Sequence, residues 1–352
     1  MATEIDWNAL QKFSEQVTQS GESPGTFPDT EWEHIRLTLV DLQQSKDLAG
    51  IIKLRELFSV LLARDSAWGI PVIQTLDMAA IDAARQVRNV AELGHMLGAR
   101  GHNLHRQGFH KQAIIAFDES TSNYMECGDN FGALKSVFMT SLCYRALNNR
   151  AKASAILADV LQQVSPDDPW RGNPLQVMAW LIQDEGDLPK TEKILREVLA
   201  LHEKAPDSDI LILQTLADLG EVVGLQGRFT EGSEIFQKSL AILDRYNGQY
   251  DRQEARTKLK FAEFLMRQRK FDYALLLLDN ADDKASGYGH YYDLMWRIEL
   301  ARCLIFAQKG QIRNFFLKAQ MTLRYRRLLG LSNLILLKQL IQRLRMGTGL
   351  PR

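Results

Sequence analysis

Four of the seven histidines lie within a single 16-residue stretch, where they could cooperate chemically. They are His95, His102, His105 and His110. His95 and His102 are seven residues apart, so on a helix they share a face that His105 flanks. Converging imidazoles can bind zinc, usually together with a further ligand. Three roles stay open: a metal site, contact with a binding partner, and plain surface histidines. No Asp or Glu lies between Glu92 and Asp118, so we predict no metal site and no cofactor.

Motifs for catalysis are missing from the sequence. There is no GxxxxGK[ST] phosphate loop and no GxSxG, HExxH or EF-hand pattern. Gly287-Tyr288-Gly289 lies in a predicted linker without the strand and helix that a phosphate loop needs. The sequence therefore predicts no catalytic residue, and we do not expect an enzyme.

The three cysteines are Cys127, Cys143 and Cys303. Their number is odd and no CxxC pair occurs, which argues against a disulfide framework and against a cysteine zinc site. All three fall within helical patterns, so we expect them to be small buried apolar residues in a reducing cytoplasm. Neither a secretory signal nor a membrane span is predicted.

Composition favours a folded helical protein, and charge is unevenly distributed. The 352 residues are 45% hydrophobic and 24% charged, with nine prolines. The net charge is zero, but residues 300–352 contain eleven Lys and Arg and no Asp or Glu. The first 299 residues therefore carry a charge of −11, and such asymmetry suggests an interaction at the basic end.

A pattern of small and large residues recurs with a period of 38 to 42 residues. Its clearest copy places Gly220, Val223, Gly232, Phe236 and Ser239 around a turn at Gly227. The residue near the start of the second helix is small in most copies. It is found, in succession, at Ala113, Ala153, Thr191, Gly232, Ala274 and Phe315, and the third and sixth copies are degenerate. Small residues at fixed positions allow two helices to cross closely, and stacked helix pairs share a core that one pair cannot form alone.

This pattern resembles the tetratricopeptide (TPR) repeat, in the long form found in kinesin light chains and in bacterial regulators linked to an ATPase. The resemblance implies an all-α fold, a right-handed α-solenoid of helix-turn-helix repeats. We expect an N-terminal segment at 1–30 and a helical cap or diverged repeat at 31–88. Six repeats would span 89–327, and a basic, leucine-rich capping helix and tail would occupy 328–352.

In TPR arrays the first helix of each repeat lines a concave groove that binds the ligand. The resemblance places in such a groove His95, His102, His105, Arg106, Lys135, Arg145, Gln176, Trp180, Gln183, Glu221, Arg256, Glu263, Arg267 and Arg297. Their mixture of charged and aromatic side chains suits a peptide or protein segment, with a preference for acidic groups. A solvated, non-functional face is the alternative for each of them.

The C-terminal helix would carry a broad apolar stripe flanked by arginines. The predicted docking residues are Arg324, Arg326, Arg327, Leu331, Leu334, Leu337, Ile341 and Leu344. Three roles remain open: docking of a partner subunit or a second copy, a thick cap with solvated charges, and contact with nucleic acid or an anionic membrane surface. We predict an interaction adaptor that binds one protein in the groove and another at this helix. The alternative is a nucleic-acid-associated regulatory subunit that uses the basic end.

Overall fold

The structure is a computed structural model that describes residues 5–19, 29–59, 71–106, 109–246, 251–286 and 291–328. The described residues form α-helices joined by short turns, with one 3₁₀ turn at Pro169–Arg171 and no strand. In chain order the helices are α1 (Trp7–Gln19), α2 (Asp29–Gln44), α3 (Leu48–Leu57), α4 (Pro71–Val87), α5 (Val90–Arg106), α6 (His110–Cys127), α7 (Asn130–Ala146), α8 (Arg150–Gln163), α9 (Gly172–Glu185), α10 (Leu188–His202), α11 (Asp209–Leu225), α12 (Phe229–Asp244), α13 (Asp251–Arg267), α14 (Phe271–Ser286), α15 (Tyr292–Gln308) and α16 (Ile312–Leu328).

The chain divides into two compact units, Met1–Ile156 and Leu157–Arg352, with the boundary inside α8. None of the described helices combines the length and the apolarity that a membrane span requires. Most of the predicted leucine-rich C-terminal helix, from residue 329 onward, lies outside the described residues.

Unit 1 begins with a helical bundle built from α1 to α4. Phe13, Trp32 and Phe58 are buried together, and the rings of Phe13 and Trp32 meet edge to face at 5.1 Å. Arg55 of α3 and Asp77 of α4 form a fully buried ion pair at 3.3 Å. This bundle leads into α5 and α6, which form a close antiparallel pair.

The pair of α5 and α6 packs through the small residues of the repeat pattern. A Cβ atom on Gly101 would lie 2.8 Å from the ring of Phe117, so only glycine fits there. Ala113 and Ser120 are fully buried, and the Ser120 hydroxyl donates to the Gly94 carbonyl oxygen at 2.6 Å. Because small side chains allow this approach, α6 can also pack against α7.

Unit 2 contains four helix pairs, α9/α10, α11/α12, α13/α14 and α15/α16. Phe264 of α13 fills the space beside Gly224 of α11 and Gly232 of α12, where added Cβ atoms would approach its ring to 2.4 and 2.7 Å. Thr191 and Ala274, at the equivalent small position of other pairs, are fully buried. First helices of successive pairs also contact each other, α11 with α13 and α13 with α15.

One expectation about the cysteines is wrong. Cys143 and Cys303 are buried, but Cys127 is exposed. Cys127 is the last residue of α6, next to Gly128, which has a positive φ of 81° and ends the helix. At the end of a helix the chain turns toward solvent, so an apolar position in the sequence pattern need not be buried there.

Candidate functional site

Polar side chains on the first helices of the unit 2 pairs form a continuous set of contacts, which we call the A-helix network. Its members come from α9, α11, α13 and α15. They are Gln176, Trp180, Asp218, Glu221, Arg256, Lys260, Glu263, Arg267 and Arg297.

Asp218 is the centre of this network. Its carboxylate is almost completely buried, and four donors reach it. Gln176 Nε2 and Trp180 Nε1 donate to Oδ2 at 2.8 and 2.7 Å. Lys260 Nζ and Arg256 Nη2 approach Oδ1 at 2.8 and 3.2 Å. Three helices are thus joined through one side chain, since the donors come from α9 and α13 and the acceptor from α11.

The environment keeps Asp218 ionised. Burial alone would raise its pKa, because a charged group loses hydration there. The charges of Lys260 and Arg256 and the hydrogen bonds from Lys260 and Trp180 outweigh burial and lower the pKa to about 2. The site therefore contains a fixed negative charge at any physiological pH.

Arg256 and Trp180 of the network are each partly buried and partly exposed to solvent. The guanidinium of Arg256 lies 5.1 Å from the centre of the Trp180 ring, in a cation–π contact. Arg256 is 28% exposed, and Trp180 is half-buried. Both side chains are fixed by Asp218 while part of their surface stays open to a ligand.

The network continues from α11 through α13 to α15. Lys260 forms a close ion pair with Glu221 of α11. Glu263 lies 3.6 Å from Arg297 of α15. Burial lowers the pKa of Arg267 from its ordinary value, and the nearby charges of Glu221 and Glu263 oppose that effect. Acidic and basic groups are therefore paired between α11 and α13 and between α13 and α15.

The predicted groove residues of unit 2 are in this network, apart from Gln183. Gln183 is half-buried on α9, almost one turn after Trp180. The sequence prediction missed Asp218 and Lys260, on which the arrangement depends. Asp218 does leave a signal in the sequence, because it interrupts the apolar run of α11 and the basic residues Arg256 and Lys260 follow about one repeat later.

The predicted groove residues of unit 1 lie on α5 and α7. His95 and Lys135 are exposed, and the ammonium of Lys135 lies 4.2 Å from the ring centre of Phe131. His102, Arg106 and Arg145 are half-buried. His105 is also half-buried, at the end of α5, where it contacts His110 and Cys143.

The predicted C-terminal docking residues lie mostly beyond the described part of the chain. Arg324 is exposed on α16. The side chains of Arg326 and Arg327, and all of Leu331, Leu334, Leu337, Ile341 and Leu344, lie outside the described residues. On α16 itself, Ile312, Phe316 and Leu317 are 69%, 65% and 55% exposed.

No family model matches the sequence, and a comparison with curated proteins finds no match. Several solved structures share the fold. The Rap conjugation gene regulator of plasmid pLS20, in complex with the Phr* peptide, is 13% identical with a TM-score of 0.55, and 98% of each chain is covered. NprR in complex with its cognate peptide NprX is 14% identical with a TM-score of 0.56, covering 90% of this chain and 89% of NprR.

A Rap protein complexed with competence and sporulation factor is 11% identical with a TM-score of 0.53, covering 92% of this chain and 98% of that one. At such low identity the likeness establishes the fold alone. The chain therefore has an all-α, TPR-like repeat fold of the α-solenoid class, as the repeat pattern predicts.

Proposed function

We propose that this protein is a non-catalytic interaction adaptor that binds an extended peptide segment of a partner along the A-helix network. The supporting observation is that half-buried charged groups on α11, α13 and α15 are paired with opposite charges on a neighbouring first helix. An ordinary solvated face would hold mobile charges, whereas Arg256, Glu263 and Arg297 are held by neighbouring helices. Fixed groups lose little freedom on binding, which lowers the entropic cost of association.

The chemistry of the network fits a peptide. Guanidinium and carboxylate groups can pair with main-chain amides and with charged side chains of either sign, and the Trp180 ring offers an apolar contact. Three structures with the same fold contain a bound peptide or signalling factor, namely the Rap regulator of pLS20, NprR and a second Rap protein. Those ligands belong to the proteins named, and they support a peptide as the ligand class here.

The network contains donors, acceptors and fixed charges but no serine, cysteine or histidine that could act as a nucleophile or a proton carrier. A binding role therefore suits it better than catalysis. We also propose a reducing cytoplasm as the compartment, because the sequence has an odd number of cysteines and no CxxC pair.

The experiment is selection of peptides from a random library on the purified full-length chain, followed by affinity measurements on the selected peptides. We expect Arg256→Gln and Arg297→Gln each to weaken binding about tenfold, because each removes a charge-assisted contact. Arg196→Gln is the matched control, since Arg196 is a half-exposed, ion-paired arginine on α10, a second helix. Selected peptides whose affinity is unchanged by both network substitutions would exclude the A-helix network as the site.

A second contact is proposed at the basic C-terminal end, where another subunit or a second copy docks through the leucine-rich segment. Exposed apolar side chains on α16 support this second contact, because α16 immediately precedes the leucine-rich segment in the sequence and itself presents apolar surface to solvent. The eleven basic residues of 300–352 favour the alternative, a nucleic-acid contact. The salt dependence of affinity distinguishes a protein dock from a nucleic-acid contact, because the affinity that phosphate contacts provide falls steeply as the salt concentration rises.

A further inference from the structure

Three potential metal ligands converge in unit 1, and none of them belongs to the A-helix network. His105 ends α5, His110 begins α6, and Cys143 lies on α7 and is fully buried. Nδ1 of His105 is 3.3 Å from Nδ1 of His110 and 3.4 Å from Sγ of Cys143. All three donor atoms lie within 4.8 Å of one another.

We propose that His105, His110 and Cys143 form a binding site for one zinc ion. The distances fit the geometry that zinc requires. With bonds of about 2.0 Å to nitrogen and about 2.3 Å to sulfur, a tetrahedral ion holds two nitrogen ligands about 3.3 Å apart and a nitrogen and a sulfur about 3.5 Å apart. Two of the three separations, 3.3 and 3.4 Å, are close to these values. The third pair, His110 and Cys143, lies within 4.8 Å, so these two side chains have to draw closer when the ion binds.

The donor set selects the class of metal. Two imidazoles and a thiolate suit zinc, whereas magnesium and calcium prefer oxygen ligands. On binding, the S–H bond of Cys143 breaks, its proton goes to solvent and a zinc–sulfur bond forms. Each imidazole donates its Nδ1 lone pair and keeps its proton on Nε2. Water takes the fourth position, which is accessible because His105 and His110 are only half-buried.

The position of the site gives it a structural consequence. His105 and His110 belong to the two helices of one pair, and Cys143 belongs to the first helix after that pair. A bound ion would therefore hold the ends of α5, α6 and α7 together. His105 and His110 are separated by four residues, which is within the His–His spacing common in zinc sites. Cys143 follows 33 residues later, so the histidine spacing alone does not reveal the third ligand.

Cobalt is the probe, because thiolate ligation gives cobalt a charge-transfer absorption. Full-length protein without a histidine tag is freed of metal with a chelator and titrated with Co²⁺. We expect one Co²⁺ per chain, an absorption typical of thiolate ligation, and displacement by one equivalent of Zn²⁺. Zinc should also raise the melting temperature of the metal-free protein, because it binds the folded state.

Variants of the ligands distinguish a specific metal site from two alternatives. One is adventitious binding of metal elsewhere, and the other is a hydrogen-bonded Cys–His–His group that binds no metal. Cys143→Ser should abolish the thiolate absorption, and His110→Gln should weaken Co²⁺ binding at least about tenfold. Cys127→Ser, which changes an exposed cysteine on α6, should leave both unchanged. The proposal is overturned if equimolar Co²⁺ gives no thiolate absorption, or if binding survives both Cys143→Ser and His110→Gln. His110 is at the half-exposed start of α6, so His110→Gln keeps the test valid if the buried cysteine variant does not fold.

Discussion

At the scale of single residues, Asp218 shows what a buried charge needs from its neighbours. A carboxylate has only acceptors, and all four groups around Asp218 are donors. Two of these donors carry positive charge, so the desolvation of the carboxylate is offset by ion pairs as well as by hydrogen bonds. The chain therefore tolerates a charge inside the apolar surface of α11.

Asp218→Asn should reduce the free energy of unfolding by about 3 kcal/mol, because an amide presents an NH₂ group to donors, removes the carboxylate that faces Arg256 and leaves Lys260 with Glu221 alone. The matched control is Asp272→Asn, which removes an ion pair with Lys309 from a side chain that is 92% exposed. We expect the control to change stability by less than about 1 kcal/mol. Urea unfolding at pH 7 measures both, and equal effects would contradict the role assigned to Asp218.

His202 makes stability depend on pH. Burial lowers its pKa to about 4, and a hydrogen bond with the backbone of Leu211 opposes this only in part. The unfolded chain, with an ordinary histidine pKa near 6.5, binds the proton more readily than the folded one. The stability that His202 contributes is therefore complete above pH 6.5 and is lost as the pH falls toward 4.

From pH 6.5 to 5, this histidine should lower the free energy of unfolding by about 1.5 kcal/mol. Urea midpoints measured across that range, with His202→Gln compared with the unmodified protein, test the expectation. The variant should lose this part of the pH dependence while keeping any part due to other buried groups, such as His110, whose pKa burial also lowers. An identical pH slope in both proteins would show that His202 is not responsible.

Sequence alone could identify part of the candidate site. The repeat pattern correctly assigned Trp180, Arg256 and Glu263 to the first helices of their repeats. This assignment needs only the number of residues between each of them and the repeat's small residues. The repeat pattern could not identify Asp218 or Cys143 as central residues. Their roles depend on which side chains of other helices reach them, and helices separated by a whole repeat come together only in the folded chain.

At the scale of helices, close packing depends on glycines facing one aromatic ring. Phe264 is fully buried, and its ring also contacts those of Phe236 and Phe261 at 5.2 and 5.9 Å. Because aromatic neighbours surround it, the ring has little room to move away from α11. The glycines at 224 and 232 therefore set the distance between α13 and the preceding helix pair.

Gly224→Ala should destabilise the protein by about 1 to 2 kcal/mol. The new methyl would lie 2.4 Å from Phe264 Cδ2, and overpacking of this kind outweighs the gain of about 1 kcal/mol in helix propensity. In a Phe264→Leu background the same change should be neutral or stabilising, since a smaller side chain leaves room for the methyl. A double-mutant cycle from urea unfolding measures this coupling, and a coupling near zero would contradict the packing argument.

The helix pairs were predictable because small residues recur at a constant spacing along the sequence. The repeat pattern is weaker in the copy where a large residue replaces the small one. Ala113, Ala153 and Ala274 occupy the predicted close contacts and are fully buried. Phe315, the sixth position, is only half-buried, on α16. A ring cannot enter a contact built for a methyl group, so the last pair must pack differently from the others. The Cys303 thiol of α15 donates to the backbone carbonyl oxygen of Phe315 at 3.8 Å.

At the scale of the whole molecule, charge separates one end of the chain from the rest. Residues 300–352 have a charge of +11 and the first 299 residues a charge of −11. The described part of that basic end also exposes apolar side chains on α16. Positive charge alone would suit nucleic acid, whereas positive charge beside a large apolar surface suits a protein partner that covers both.

A protein dock and a nucleic-acid contact at the basic end should respond differently to salt. If the segment docks a second copy, sedimentation of the full chain should show self-association that persists from 0.1 to about 0.5 M salt, because burial of apolar surface is not screened. Changing Leu331, Leu334 and Leu337 to serine should abolish that association. Changing Arg324, Arg326 and Arg327 to glutamine should weaken the association less than the leucine changes do, and mainly at low salt, because salt screens the contribution of these charges. A monomer at every salt concentration that binds nucleic acid, with an affinity that falls steeply with salt and is lost in the arginine variant, would contradict the dock and establish the nucleic-acid alternative.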